Sequence, residues 1–191
     1  MPTFAELKPE EAKKNPDPDL TELKVDGCCM TWDGTEFKSE RGIERSDRFP
    51  QIITDLQQID AVVQGEVAIP GGHVLQVNAK TNWPKARFYL FDVTEWKGKD
   101  VSGNSVLENR RVIDQILRSR FKHLRSCRQF DTFALGWAYV LNQRYAEGLV
   151  LKSDVGKSYK VKHLTEVKVP IVGYESGSVK GAFLIQMPNG E

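Results

Sequence analysis

The dipeptide Asp33-Gly34 is the local feature that most constrains the fold, because it lies between two runs of strand-forming residues within 28–39. Such a dipeptide favours the tight turn of a β-hairpin and predicts an antiparallel strand pair there. Further strands are predicted from apolar alternation at 61–69, 74–77, 88–93, 148–153 and 158–162. The pattern favours an α+β fold with antiparallel sheets flanked by helices.

Two helices are predicted between these strands. The first begins at Ser105, with Glu108 three residues later as a capping box, and apolar residues at helical spacing continue it to Leu124. Seven Arg or Lys residues stand against a single acid within 110–128, so the other face of this helix is either a phosphate-binding surface or an ordinary solvated one. The second helix is predicted over about 132–145, with its aromatic residues in the core.

Composition excludes several classes of protein. With 191 residues, 40% hydrophobic and 28% charged, the chain matches ordinary globular domains, and a net charge of +1 means that nucleic acid would need a local basic patch. Cys28 and Cys29 are neighbours on a predicted strand and point to opposite faces, so a disulfide framework is not expected. The absence of an apolar run of about 18 residues and of a signal-peptide pattern predicts a cytoplasmic protein without membrane contact. Residues 1–20 are either an ordered strap or a loose arm.

The chemistry of the chain begins at Lys24, the first residue of K-V-D-G at a predicted strand end. A lysine between two apolar residues is usually a surface residue, but four downstream segments also place charged groups on predicted strands. These segments are Q-G-E-V (64–67), F-Y-L-F-D-V (88–93), E-G-L-V-L-K (147–152) and Y-K-V-K (159–162). Lys152, Lys160 and Lys162 would converge with Lys24, and this set predicts a polyphosphate site.

These segments, over about 21–185, resemble the covalent nucleotidyltransferase superfamily, and most closely its ATP-dependent DNA ligases. K-V-D-G, G-E-V, F-Y-L-F-D-V, E-G-L-V-L-K and Y-K-V-K match the first, third, third-a, fourth and fifth motifs in the family's order. The resemblance implies an ATP-grasp-like adenylation domain over 1–165. It also implies that Lys24 attacks the α-phosphorus of ATP with Mg²⁺ bound, and that AMP then passes to the 5′-phosphate of nicked double-stranded DNA before sealing.

The resemblance also implies roles for individual residues. Glu22 would contact the adenine edge, Phe91 would stack on the base, Arg41 and Glu66 would face the ribose, Lys152, Lys160 and Lys162 would bind phosphates, and Glu66 and Glu147 would hold the metal. A free lysine has a pKa near ~10.4, so a nucleophilic lysine needs neighbouring cations and desolvation to lose its proton. A simpler interpretation stays open for two of these positions, with Phe91 in the core and Glu66 as a surface acid.

Three features depart from the family pattern. Cys29 stands where an arginine is common, and Gln64 replaces the aspartate of the third motif. The family continues into an OB-fold barrel, whereas 166–191 predicts only its first two strands, at 167–174 and 179–187, followed by the turn signal P-N-G at 188–190. We therefore expect a partial barrel that lacks the last basic motif.

Several alternatives concern the substrate. ATP is preferred to NAD⁺ because only 23 residues precede Lys24, and the F-Y-L-F-D-V segment resembles DNA ligases more than capping enzymes, which use GTP. An RNA ligase is the first alternative. A catalytically crippled nucleic-acid-binding module that uses 110–128 is the second. A monomer with a role in DNA repair, replication or recombination is expected.

Overall fold

The computed structural model describes residues 4–14, 18–143, 145–155, 157–163, 171–175 and 182–185. The strands, in chain order, are β1 (Ala5–Glu6), β2 (Leu20–Lys24), β3 (Cys28–Trp32), β4 (Phe37–Ser39), β5 (Ala61–Ala68), β6 (Arg87–Trp96), β7 (Lys99–Asp100), β8 (Leu124–Ser126), β9 (Gln129–Phe130), β10 (Gly148–Lys152), β11 (Tyr159–Lys162), β12 (Ile171–Glu175) and β13 (Ala182–Ile185). The α-helices are α1 (Pro9–Ala12), α2 (Pro50–Leu56), α3 (Val106–Ile116) and α4 (Phe133–Leu141), and short 3₁₀ helices cover Ser46–Arg48, Val74–Asn78, Lys80–Lys85 and Leu117–Ser119.

Two sheets organise the described chain. Sheet A has the strand order β1-β11-β10-β2-β9, and sheet B has the order β4-β3-β5-β6-β7 with β8 added beside β6. Neighbouring strands are antiparallel except for the pairs β1 with β11 and β6 with β8, which are parallel. Strands β12 and β13 form a separate antiparallel pair. The predicted α+β fold of antiparallel sheets with helices is confirmed, and the two parallel pairs add short edge strands to it.

Each sheet buries one face in a hydrophobic core of its own. The sheet B core is the larger and contains fully buried residues from the strands, α2 and α3, among them Phe37, Ile52, Phe88, Leu90 and Ile113. The sheet A core is formed by residues such as Leu149 and Val161 packed against α4 and α1. Because side chains alternate along a strand, the other face of each sheet carries the intervening polar residues. These two polar faces line a common cleft.

The hairpin predicted at Asp33-Gly34 is present. Strands β3 and β4 pair antiparallel with Trp32 opposite Phe37, and Gly34 has a positive φ of 96°. The Asp33 carboxylate accepts hydrogen bonds from the backbone N–H groups of Thr35 at 3.0 Å and Glu36 at 2.7 Å. The turn is therefore stabilised by the aspartate side chain as well as by the conformational freedom of the glycine.

The prediction of a strand at 74–77 is wrong, because these residues lie in the 3₁₀ helix Val74–Asn78. The Asp26 carboxylate accepts from the Val74 N–H at 2.9 Å, and His73 Nδ1 accepts from the Leu75 N–H at 3.2 Å. Side chains thus satisfy the amides that a strand partner would have used. Leu75 is 70% exposed and only Val77 enters the core, so the apolar run did not mark a buried strand.

The first predicted helix is correct at its start and too long at its end. Ser105 and Glu108 form the capping box, but α3 ends at Ile116, and a short 3₁₀ turn leads to Arg120, whose φ of 53° is left-handed. Leu124 then begins β8, whose approach is fixed by a 2.6 Å hydrogen bond from the His123 N–H to Asp55. The basic residues of 110–128 therefore do not share one helical face.

The second predicted helix is shorter than expected, since α4 ends at Leu141. Its first turn is capped by the Thr132 hydroxyl, which accepts from the Leu135 N–H at 3.2 Å. Val140 is fully buried, and Phe133 and Trp137 pack against the sheet A core, as the core interpretation of its aromatics predicted.

The two ends of the chain are described in part. Residues 4–14 form β1 and α1, with Ala12 buried in the sheet A core, so this part of the lead-in is an ordered strap. Strands β12 and β13 agree with the predicted C-terminal strand pair. The proposed domain boundary at 165/166, the turn after 175 and the P-N-G signal at 188–190 lie outside the described residues. Within the described residues, every helix is too short or too polar to cross a membrane.

Candidate functional site

A cleft of about 840 Å³ lies between the polar faces of the two sheets. Sheet A contributes the charged residues Glu22, Lys24, Lys152 and Lys160, and sheet B with α3 contributes Gln64, Glu66, Phe91, Asp92, Asn109 and Arg110. Residues more than 130 positions apart in sequence thus meet around one space. The cleft collects most of the charged positions that the sequence analysis selected.

Lys24 lies at the last position of β2, directly opposite Gly148 of β10. Its ammonium forms an ion pair with the carboxylate of Glu147, and the lysine side chain is 19% exposed. At Gly148 a Cβ atom would lie 2.0 Å from the carbonyl oxygen of Val161, so only glycine allows β10 to run this close to β11. The glycine after Glu147 therefore keeps that carboxylate at the end of the strand beside Lys24.

The loop that follows Lys24 is held close to sheet B. A Cβ atom on Gly27 would lie 2.3 Å from the carbonyl oxygen of Val67 and 2.8 Å from a side-chain carbon of Glu66. Glycine at this position thus lets the chain leave Lys24 and pass directly against β5. The K-V-D-G segment brings the lysine of one sheet to the glutamate of the other.

Glu66 carries the most unusual carboxylate of the cleft. Burial raises its pKa to about 7, Lys24 opposes that shift, and the negative charges of Glu147 and Asp26 add to it. Burial thus disfavours the ionised form of Glu66, and a bound cation would stabilise that form. No group of three or more His, Cys, Asp or Glu side chains in the described part of the chain is arranged to hold a metal ion. Two carboxylates are nevertheless enough for Mg²⁺ when substrate phosphates and waters complete its shell.

Phe91 reaches the cleft through a β-bulge. The register of β5 and β6 changes between Gln64, which faces Asp92, and Gly65, which faces Leu90, so Phe91 is the additional residue. Leu90 points into the core, and both Phe91 and Asp92 line the cleft. A regular strand would have placed one of them on the buried face. The aromatic ring is thus part of the cleft wall and not of the core.

The Glu22 end of the cleft, two residues before Lys24 on β2, is an ionic network around a buried carboxylate. Glu22 is 2% exposed, and each of its carboxylate oxygens accepts from a different cation, Oε1 from Arg110 at 2.9 Å and Oε2 from Lys152 at 2.8 Å. Lys152 also donates to the backbone carbonyl of Phe91 at 2.7 Å. Arg110 also donates to the carbonyl of Cys127 at 3.0 Å. The sequence pattern gave no signal for Arg110, because it appeared as one of seven basic residues on a presumed helix face.

Three of the four lysines predicted to converge, Lys24, Lys152 and Lys160, line the cleft, and Lys162 does not. Lys24 and Lys160 line the cleft, and Lys160 Nζ lies 5.6 Å from the ring of Phe4, a residue that sequence analysis did not select. Lys162 is outside the cleft lining and lies 3.9 Å from the carboxylate of Glu6 on β1. The remaining lysine, Lys152, is bound at the Glu22 end.

Arg41 and Cys29 both depart from the expected contacts with ribose and phosphate. Arg41 departs in its position, and Cys29 departs in its chemistry. Arg41 is exposed, in the turn after β4, and is absent from the cleft lining. Cys29 does line the cleft, whereas its neighbour Cys28 packs against the sheet B core, so their predicted opposite orientation is confirmed. Burial raises the pKa of the Cys29 thiol to about 12, so this position provides no charge where the family often has an arginine.

Aromatic and basic residues also lie on β6, on β8 and on the neighbouring part of sheet A. Tyr89 lies opposite Glu66 of β5 on one side and opposite Arg125 of β8 on the other. Arg128 directly precedes β9 of sheet A, and its guanidinium lies 4.3 Å from the ring centroid of Tyr139 on α4. Arg125 and Arg128 are both exposed. Sequence analysis placed these arginines on the face of a helix, so it did not predict their positions beside the two sheets.

The chain was compared with known proteins. No protein-family model and no curated protein sequence matches it. Among solved structures, it is similar to a Lig E DNA ligase studied for DNA binding with a minimal scaffold, at 18% identity over 100% of this chain and 82% of that one, with a TM-score of 0.66. A mycobacterial DNA ligase D complexed with ATP and MES shares 18% identity over 98% of this chain and 67% of that one, with a TM-score of 0.62. A Naegleria gruberi RNA ligase with PPi shares 22% identity over 85% of this chain and 55% of that one, with a TM-score of 0.50.

Proposed function

We propose that this chain, which has the fold of a ligase nucleotidyltransferase domain, is the core of an ATP-dependent DNA ligase that forms a covalent adenylate on Lys24. The observation that carries the proposal is the position of Lys24 in the cleft. It is a largely buried lysine at a strand end, with Glu147 and Glu66 beside it and Lys160 in the same space. An aromatic ring and a polar network lie at the other end of the cleft. This layout suits a nucleotide whose phosphates face Lys24 and whose base faces Phe91.

In the first step the unprotonated amine of Lys24 attacks the α-phosphorus of ATP. A bond forms between Nζ and phosphorus, the bond from that phosphorus to the bridging oxygen breaks, and pyrophosphate leaves with the electron pair. The proton lost from the ammonium goes to a carboxylate or to water, and Glu147 is the carboxylate already in contact with it. Holding the amine beside the phosphorus replaces a bimolecular encounter with a positioned reaction.

The other cleft residues supply binding. Phe91 would stack on adenine, β2 with Glu22 would lie at the base edge, and Glu66 would face the ribose. Lys160 would neutralise charge on the α-phosphate. Lys152 would act through Glu22 and the Phe91 carbonyl, which it binds. Arg41 and Lys162, which lie outside the cleft lining, are given no contact with the nucleotide. Glu66 and Glu147 would hold Mg²⁺, which supplies charge neutralisation at the triphosphate. The burial of Glu66 and its repulsion by the neighbouring Glu147 support that assignment.

We infer that the acceptor is the 5′-phosphate of nicked double-stranded DNA. AMP would pass from Lys24 to that phosphate, and a 3′-hydroxyl would then displace AMP to seal the strand. Two observations support DNA. The Lig E and ligase D structures superimpose better and over more of this chain than the RNA ligase does. The exposed basic residues Arg125 and Arg128 would contact phosphates of the nucleic-acid backbone.

The test has two stages. The chain is first incubated with Mg²⁺ and ATP, GTP or NAD⁺ labelled in the adenylate or guanylate group, and covalent label is measured on the denatured protein. Label from ATP alone is expected, and label from none of them would leave a nucleic-acid-binding module without catalysis. The pre-labelled protein is then offered duplexes with a nick in a DNA strand or in an RNA strand. Faster sealing of the RNA nick would replace the DNA ligase proposal with an RNA ligase.

A further inference from the structure

Helix α3 contacts both walls of the cleft through consecutive residues. Asn109 donates from its side-chain amide to the carboxylate of Asp92 at 2.7 Å and to the carbonyl of Val93 at 2.9 Å, both on β6 of sheet B. Arg110, the next residue, donates to the buried carboxylate of Glu22 on β2 of sheet A at 2.9 Å. One turn of α3 therefore makes hydrogen bonds to β6 of sheet B and to β2 of sheet A.

The contact of α3 with sheet B is made at the bulge that exposes Phe91. Asn109 binds the side chain of Asp92, the bulge residue next to Phe91, and Lys152 binds the Phe91 carbonyl from sheet A at 2.7 Å. A bulge interrupts the ladder of its strand, so its residues need other partners to keep one conformation. Here those partners come from α3 on one side and from β10 on the other.

The contact of α3 with sheet A, made by Arg110, is also restrained by several hydrogen bonds. Arg110 is 11% exposed, and besides Glu22 its guanidinium donates to the carbonyl of Cys127 and to the carboxylate of Asp114, each at 3.0 Å. The start of α3 is fixed independently, because the Val106 N–H donates to Asp154 in the turn after β10 at 2.6 Å. The helix thus has little freedom to move relative to either sheet.

We propose that Asn109 and Arg110 are positioning residues that set the distance between the Phe91 ring and the Glu22 strand, and so determine which base the cleft accepts. The inference rests on the proposed function, since it assumes that a nucleotide base lies beside Phe91. Neither residue touches the phosphorus that Lys24 attacks. Their loss should therefore change nucleotide binding and base discrimination far more than the rate of the saturated reaction.

The experiment measures self-labelling with ATP and with GTP as a function of nucleotide concentration for Asn109→Ala, Arg110→Gln and the wild-type chain. Arg111→Gln is the matched control, because it removes the same charge from the exposed neighbour on α3. We expect the two test variants to raise the KM for ATP roughly tenfold, the equivalent of one weakened stacking contact, with kcat changed little. The preference for ATP over GTP should fall in both and stay unchanged in the control.

Arg110→Lys provides a rescue test, since it keeps a cation near Glu22 and should recover part of the ATP preference. Should Arg110→Gln fail to fold, Asn109→Ala alone decides, because its hydrogen bonds are to one strand and its partner Asp92 is half-buried, whereas Glu22 is fully buried. Labelling by the wild-type chain with an unchanged KM and an unchanged ATP-to-GTP ratio in Asn109→Ala would overturn the inference. A wild-type chain that takes no label from any nucleotide would instead refute the proposed function, so the two failures are distinguishable.

Discussion

The two ends of the cleft are built in opposite ways. At the Glu22 end, each oxygen of the buried Glu22 carboxylate accepts from its own cation. At the Lys24 end, the lysine is shared between carboxylates that repel one another, and burial raises the pKa of Glu66 to about 7. A satisfied network holds a fixed geometry, whereas an unbalanced group of charges can exchange protons and bind a cation. The difference indicates that one end positions the ligand and the other performs chemistry.

The largest effect should come from the reactive end. Lys24→Ala is expected to abolish covalent labelling by ATP while leaving the chain folded, because the side chain lies at a strand end, belongs to neither hydrophobic core and has a partly exposed ion-pair partner. Labelled nucleotide on the denatured protein and a urea unfolding curve measure the two quantities. Lys157→Ala, at an exposed lysine outside the cleft lining, serves as a control that keeps the nucleophile. Label that persists in the Lys24 variant would remove the distinction between the two ends.

Removing a cation from the positioning end should instead affect stability. Lys152→Met leaves Glu22 buried with only Arg110 as its partner, and breaking such a pair costs about 3 kcal/mol. Lys160→Met, on the same face of sheet A, should change the free energy of unfolding by less than about 1 kcal/mol. Urea denaturation of both variants compares them directly. Equal losses would show that the Glu22 network is no more structural than the rest of the cleft.

A smaller effect should separate binding from folding at the bulge. Phe91→Ala is expected to weaken ATP binding by roughly 1–3 kcal/mol, the usual scale for losing a base stacked on an aromatic ring. Titration calorimetry without Mg²⁺ gives the affinity before any covalent step. Phe88→Ala is not a suitable control, because Phe88 is fully buried in the core. Affinity equal to that of the wild type would mean that the ring forms part of the wall without contacting the base.

The smallest effect is confined to one pH range. The pKa of Glu66 is about 7 in the folded chain against an ordinary value of 4.5, so folding favours the protonated form and the wild type loses stability as pH rises from about 4.5 to 7. Glu66→Gln cannot ionise and avoids that loss. It should be more stable than the wild type by on the order of 1 kcal/mol at pH 8, after allowing for solvent screening, and nearly equal to it at pH 5. Urea midpoints at the two pH values test this, and an identical difference at both would contradict it.

Sequence reasoning was most accurate where local chemistry decides the structure. The Asp33-Gly34 turn, the capping box at Ser105 and the strand containing Glu66 depend on neighbouring residues, and all three are present. It was least accurate where tertiary contacts override a pattern. The left-handed Arg120 ends a helical run that apolar spacing alone would extend, because Leu124 is needed in sheet B.

The candidate site was partly predictable, because some of its residues belong to local motifs and others depend on contacts between distant segments. Lys24, Glu66 and Phe91 were selected from ordered motifs, and all three line the cleft. Arg110 was missed as a separate feature because its partner Glu22 lies 88 positions away in sequence. The bulge at Phe91 could not be predicted from the sequence of β6 alone, because a bulge is defined by the register between two paired strands.

The most direct test of the account asks which lysine carries AMP. Lys24, Lys152 and Lys160 all line the cleft, but Lys152 is held by Glu22 and the Phe91 carbonyl, whereas Lys24 lies beside Glu147 and near Glu66, whose pKa of about 7 suits it to accept a proton. The chain is incubated with ATP and Mg²⁺, digested, and mapped by tandem mass spectrometry for a peptide that bears one AMP group. The account predicts the adduct on Lys24 and on neither of the other two lysines. An adduct on Lys152 or Lys160, or none on any lysine, would contradict it.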